Sequence, residues 1–192
     1  MLNFDSKEEK YFYYWLEEIK TLGFIDKIER GDEIAFTLSE KVVDTRKVQM
    51  KTKDKDVEFS LLQPHVYTPD FRITWNQSAK GKFFSVSNFD DRFLFVVNSG
   101  CISYIEIKPA FDAQNMTRLF GINQKWMMQK FGIFVQKIIP YKTGKKAGNC
   151  FFKETFVPQQ FIKDRAIVGK DKPPLLHFDS GTLEEFIKKM NF

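Results

Sequence analysis

The chain is poor in the residues from which many sites are built. Its 192 residues include two cysteines and two histidines. His65 and His177 are too little material for a histidine zinc site or for a serine or cysteine triad. Cys101 and Cys150 show no metal-ligand spacing, and both read as reduced core or loop residues of a reducing compartment. No apolar run approaches the roughly 20 residues of a membrane helix. The first residues, "MLNFDSKEEK", are too polar for a secretory signal, so a cytoplasmic location with no membrane partner is expected. Repeats, low-complexity tracts and long linkers are absent, which points to a single domain over residues 1–192. A catalytic site must draw on carboxylates and lysine.

What is present is apolar and aromatic. A hydrophobic content of 43% with 16% aromatics suits a globular fold and excludes disorder. The net charge of +5 permits a polyanionic partner without demanding one.

Periodicity lays out an α/β order. A helix is expected from Ser6 to Leu22: Ser6 and Glu9 form a capping box, Phe12, Leu16 and Ile19 follow at helical spacing, and Gly23 is the stop. Glu9 shares the stripe of those apolar residues, and a carboxylate at the edge of a buried stripe needs a partner. Residues 39–58 are charged and interrupted, as in an exposed hairpin or loop excursion. In "FSLLQPHVYTPDFRITW", Pro64 and Pro69 punctuate strands, and Asp70, Arg72 and Thr74 share one face while Phe71, Ile73 and Trp75 share the other. "KFFSV", "RFLFVV" and "SYIEIKP" add strands. A second helix runs from about Asn115 to Phe131 on the spacing of Leu119, Ile122 and Trp126, and Gly132 ends it. The strand "IFVQKIIPY" follows. A short helix, "TLEEFIKKM", is expected behind a cap at Asp179 or Ser180.

Glu-x-Lys occurs three times, at Glu8 and Lys10, Glu18 and Lys20, and Glu106 and Lys108. Residues two apart on a helix diverge, so the first two pairs cannot converge on a substrate. On a strand they project together, and Glu106 and Lys108 are aimed at one place. Pro69-Asp70 opens a second strand. Two carboxylates brought together from these segments repel, and a hard divalent cation such as Mg²⁺ relieves the repulsion, taking oxygens from Asp70, Glu106 and a backbone carbonyl, that of Ile107. Lys108 then orients a water or balances charge on a phosphate. The alternative is a strand-surface salt bridge between Glu106 and Lys108.

"VYTPDFRI" followed by "YIEIKP" resembles the motif of the PD-(D/E)XK nucleases. With "FDSKEEKYFYYWL", "LGFID" and "INQKWMMQKFGI", the resemblance to small phage-encoded members, junction-resolving endonuclease I-like proteins among them, covers about residues 4–140. It implies a restriction-endonuclease-like core: a mixed central β-sheet flanked by helices, here with an inserted hairpin between Asp70 and Glu106. It implies a phage or mobile-element origin and metal-dependent hydrolysis of DNA phosphodiesters, with Mg²⁺ as cofactor and Mn²⁺ as its substitute. Asp70, Glu106 and Lys108 fall on the motif. Glu9, with Glu8 as the alternative, falls on the glutamate of the preceding helix, a catalytic and metal-holding position. Pro109 stands where relatives often have glycine, and Asn123 where a basic residue is common.

Gln124, Lys125 and Arg118 on the second helix are candidate DNA contacts, Arg118 and Lys125 lying seven apart and hence on nearly one face. Lys145 and Lys146 in the basic, glycine-rich "YKTGKKAGN" are further candidates, with a solvated loop as the alternative. Residues 141–192 form an extension outside the resemblance. Two other functions are expected alternatives: a Holliday-junction resolvase of the same fold, which needs a homodimer to cut two strands symmetrically, and a non-cleaving nucleic-acid-binding or scaffold protein. A phage or host DNA-processing partner is a further expectation.

Overall fold

Helix α1 (Lys7–Thr21) starts where its sequence dictates. Ser6 is extended, and its hydroxyl accepts the Glu9 N–H at 3.1 Å. Gly23, at φ 79°, turns the chain out of the helix at the end, a conformation that costs a side-chain-bearing residue. Tyr11, Phe12, Trp15, Leu16 and Ile19 are buried along one stripe. Each such side chain contributes roughly 1.5–3 kcal/mol by leaving water. The structure, a computed structural model, describes residues 3–85, 94–110, 116–142, 149–167, 169, 172–179 and 181–189.

Among the described residues ten strands follow α1, nine before a second helix and one after it. First come β1 (Ile25–Glu29), β2 (Phe36–Ser39), β3 (Val42–Gln49), β4 (Asp54–Leu62), β5 (His65–Tyr67) and β6 (Phe71–Trp75). Next are β7 (Phe84–Ser85), β8 (Phe95–Val96) and β9 (Ile102–Ile107), then α2 (Met116–Phe131) and β10 (Val135–Ile138). The chain continues through α3 (Phe151–Glu154), α4 (Gln159–Arg165) and α5 (Leu183–Lys189).

The central sheet has the order β1-β6-β9-β10. β6 is antiparallel to both neighbours, and β10 is parallel to β9. A parallel pair needs a crossover, which α2 supplies. The fold is therefore mixed α/β with a mixed sheet flanked by helices, as expected. Among the described residues no helix is long and apolar enough to cross a membrane.

The pleat divides the sheet into two chemistries. Phe71, Ile73 and Trp75 of β6, with Ile105 and Ile107 of β9, face α1 and join its stripe in the main core. The opposite face carries Tyr104 and Val135, which pack with Phe120 and Met127 of α2 and with Leu38 and Tyr67 of the β2–β5 pair. The polar residues Asp70, Arg72, Glu106 and Lys137 alternate into this second face.

Three expectations are corrected and one is met. The insertion between Asp70 and Glu106 is not a hairpin in its described part: a 3₁₀ turn at Gln77–Ala79 leads to β7, which pairs with β8 in parallel. The exposed hairpin expected over residues 39–58 is present as β3 and β4. On α2 the inward residues are Phe120, Asn123 and Met127, while Leu119, Ile122 and Trp126 are 40–48% exposed. Asn123 tolerates burial because its Oδ1 lies 2.9 Å from Nε2 of His65. The cap of α5 is Thr182, whose Oγ1 accepts the Glu185 N–H at 3.2 Å while Glu185 Oε2 accepts the Thr182 N–H at 2.8 Å.

The C-terminal segment is no appendage. Phe151, Phe152, Phe156, Phe161 and Phe186 belong to the main core, with Trp15 stacked on Phe156 at 5.2 Å and edge-on to Phe151 at 4.9 Å. Phe152, fully buried, tests this closure. Phe152→Ala is expected to cost about 3–5 kcal/mol of stability, read from the urea midpoint by circular dichroism. A change below about 1 kcal/mol would place the segment outside the cooperative core.

Candidate active site

The site is built by strand register. β6 and β9 pair Phe71 with Ile105 and Arg72 with Tyr104. Continued by one residue, that antiparallel register sets Asp70 opposite Glu106. The backbone completes the placement: the Ile107 N–H donates to Asp70 Oδ2 at 2.5 Å, so Asp70 is held at the mouth of β6 by its neighbour strand. Glu106 near the end of β9 and Lys108 just beyond it project to one side, and Lys108 Nζ lies 2.6 Å from Glu106 Oε1. Both side chains are largely covered, at 12% for Lys108 and 9% for Glu106.

The second oxygen of Glu106 is also engaged. Tyr67, two residues before Pro69, donates its hydroxyl to Oε2 at 2.7 Å. Burial and the adjacent Glu106 hold the Tyr67 phenol far above its ordinary range, so at neutral pH it remains a donor. Glu106 is thus clamped between an ammonium and a phenol.

Glu9 enters from α1. It is 9% exposed, takes the Ser6 hydroxyl at 3.1 Å, and has the Arg30 guanidinium 3.8 Å from its other oxygen. Burial raises its pKa, with Ser6 and Arg30 pulling the other way. Glu8 is turned elsewhere, to the Tyr141 hydroxyl, so of the two helical glutamates it is Glu9 whose charge bears on Asp70.

Asp70 collects the consequences. Burial pushes its carboxyl up to about 8, the charges of Glu106 and Glu9 push in the same direction, and the Ile107 N–H and Lys108 oppose them. Ionising all three carboxylates would put three negative charges against Lys108 and Arg30, and Asp70 is the group that resists. Among the described residues no group of three or more His, Cys, Asp or Glu side chains is drawn tightly enough to form a ready metal cluster. The arrangement is a facing pair, Asp70 and Glu106, with Glu9 within electrostatic range.

The candidate DNA contacts are scattered. Arg118 and Lys125 are exposed on the side of α2 opposite its buried residues, so they face solvent and not the carboxylates. Gln124 is half-buried and donates its amide to the Val135 carbonyl at 2.6 Å, fastening α2 to β10. Lys145 and Lys146 lie outside the described residues.

Sequence reasoning missed three neighbours of the site. Tyr67 carried a signal, because a tyrosine in a strand with a buried face needs a partner for its hydroxyl. Lys137 pairs with Glu106 across β9 and β10 and is exposed beside it on the same face. Glu29, 7% exposed at the end of β1, takes Arg72 Nη1 at 3.0 Å and Lys27 Nζ at 2.7 Å, a buried anion neutralised next to the Asp70 row. Those last two depend on register, which spacing alone does not give.

Comparison with protein-family models, with curated proteins and with solved structures finds no match.

The raised carboxyl of Asp70 sets a pH dependence. An unfolded aspartate titrates near 3.9. Between there and about 8 the folded chain holds a proton that the unfolded chain has lost, so this group's stabilising contribution is present below pH 4 and is lost as pH rises through 8. Without divalent cations, thermal melts should therefore show Asp70→Asn gaining stability relative to wild type as pH goes from 5 to 8. Parallel melting curves for the two proteins across that range would contradict this account of the site.

Proposed function

We propose that the chain is a metal-dependent endonuclease of the PD-(D/E)XK type, with a restriction-endonuclease-like core, that hydrolyses DNA phosphodiester bonds. The observation that carries the reading is the meeting of Asp70, Glu106 and Lys108 at one point on adjacent strands, 36 residues apart in the chain. A salt bridge between Glu106 and Lys108 alone would leave Asp70 without a reason to be there. A carboxylate pressed against a second carboxylate is expensive to ionise, and that cost is tolerated where it serves a site. The mixed sheet, preceded by a helix that delivers Glu9, also agrees with the motif's resemblance.

The donor set suits a hard divalent cation, because the charges that raise the Asp70 pKa are those that such an ion would neutralise. Asp70, Glu106, the Ile107 carbonyl and Glu9 would hold Mg²⁺, or Mn²⁺ in its place. When bound, the ion supplies Lewis-acid polarisation of the phosphate and a lowered pKa for a water. The chain's own residues do the rest. Tyr67 fixes the rotation of the Glu106 carboxylate, and the Ile107 N–H fixes Asp70. Lys108 carries the positive charge that orients the attacking water and offsets the charge developing on the phosphate. Lys137, exposed next to Glu106, adds a second cation for the DNA backbone.

The test is cleavage of linear, single-stranded and four-way-junction DNA, with Mg²⁺ and with chelator. Cutting should require Mg²⁺ or Mn²⁺, and preference for the junction would favour the resolvase form of the same reading. Asp70→Asn should lose both cleavage and Mn²⁺ binding by isothermal titration. Lys108→Ala should lose cleavage by at least about 100-fold yet bind Mn²⁺ as well as wild type or better, since a competing charge beside Glu106 is gone. Wild-type cutting by Lys108→Ala would reduce Glu106 and Lys108 to a surface salt bridge. DNA binding without cleavage under any metal would leave the non-cleaving alternative.

A further inference from the structure

The β3–β4 ribbon stands out into solvent. All eight residues of β3 are exposed, and of the nine in β4 only Phe59 is partly covered. An isolated two-stranded ribbon is marginal in water, and this one also exposes Val48 (46%), Met50 (52%) and Val57 (39%). Such a surface is unusual unless something covers it.

Its register sorts charge by face. Thr45 is opposite Glu58, Lys47 opposite Asp56 and Gln49 opposite Asp54, so one face is predominantly acidic. Arg46 is opposite Val57, Val48 opposite Lys55 and Asp44 opposite Phe59, so the other face combines two cations and one anion with apolar side chains. Arg46 lies 4.2 Å over the Phe59 ring, which fixes the guanidinium on that face. The turn adds Lys51 and Lys53, both exposed. The base of the ribbon is anchored at the site: β2 and β5 pair directly, and β5 ends in Tyr67, the residue that holds Glu106.

From this we infer that the ribbon is a DNA-binding arm, its cationic and apolar face laid along the duplex beside the catalytic pair, an inference that rests on the nuclease reading. The dimensions agree: a two-stranded ribbon enters a major groove about 12 Å wide. Eight residues at about 3.4 Å each run about 27 Å, the rise of roughly eight base pairs. Charge sets the orientation. Arg46, Lys53 and Lys55 outnumber Asp44 on the face that meets phosphates, while Asp54, Asp56 and Glu58 are turned away from them. Specificity by base sequence is not required, because phosphate contacts position a protein without reading bases.

The experiment measures binding of the full chain to a 20-base-pair duplex by fluorescence anisotropy, in chelator and across a salt series, alongside Mg²⁺-dependent cleavage by wild type. The triple variant Arg46→Ala, Lys53→Ala, Lys55→Ala should bind roughly 10–100-fold more weakly at low salt. Its plot of log affinity against log salt should be shallower by about two to three units, near 0.9 for each phosphate that is no longer neutralised. Asp56→Asn, on the acidic face, should keep the wild-type slope, and circular dichroism should show both variants folded. A wild type that cuts DNA beside a triple variant with unchanged affinity and slope overturns the ribbon inference alone. A wild type that neither binds nor cuts overturns the nuclease reading beneath it. A wild-type dimer in light scattering that the triple variant turns into a monomer, with DNA affinity unchanged, would assign the face to a second copy of the chain and overturn its assignment to DNA.

Discussion

Everything at the site depends on the register of β6 against β9. Side chains on a strand alternate, so a slip of one residue would send Asp70 toward the α1 core and leave Glu106 facing an apolar neighbour. The register is secured twice. Phe71, Ile73 and Ile105 are fully buried on the α1 face, and a slip would drive them into the polar row. The Ile107 N–H then takes Asp70 itself, converting a ladder position into a clamp. Like charges therefore stand close because the hydrophobic face on the other side of the same strands leaves them no alternative.

The two faces of the sheet divide the work. One is aromatic and dense, with α1 and the C-terminal phenylalanines closing over Phe71, Trp75 and Ile105. Its stability supports the other face, where Glu29 with Arg72 and Glu106 with Lys108 and Tyr67 form partly covered ion pairs and hydrogen bonds. Buried charges of this kind are costly unless paired, and here nearly every oxygen has a partner. Asp70 is the exception in balance: its one short hydrogen bond is outweighed by burial and two neighbouring carboxylates.

Much of this is legible in the residues because local rules suffice. Ser6, Glu9 and Gly23 bound α1, and the alternation of "PDFRITW" places Asp70 and Phe71 on opposite faces with no tertiary partner needed. Glu106 with Lys108 follows from strand pleating. What is not legible depends on partners distant in sequence. The inward face of α2 departs from its spacing because Asn123 is buried by a hydrogen bond to His65, while Trp126 lies edge-on to that same ring at 5.3 Å and stays exposed. The pairing of Lys137 with Glu106 requires the parallel register of β10, and the role of Phe151 to Phe186 requires knowing which core lacks a wall. Spacing carries the period of an element but not the identity of its neighbour.

The aromatic closure has a consequence for synthesis on the ribosome. Phe12 and Trp15 leave the ribosome about 170 residues ahead of Phe186, which packs on Phe83 and Phe156 in the same core. At roughly 5–20 residues per second the nascent chain waits on the order of 10–30 s with its largest aromatic stripe lacking its final cover. During that interval the mixed sheet can pair, but the α1 face stays partly open to water and to other chains. In that interval chaperones or dilution would act by keeping those rings from other chains until Phe186 arrives.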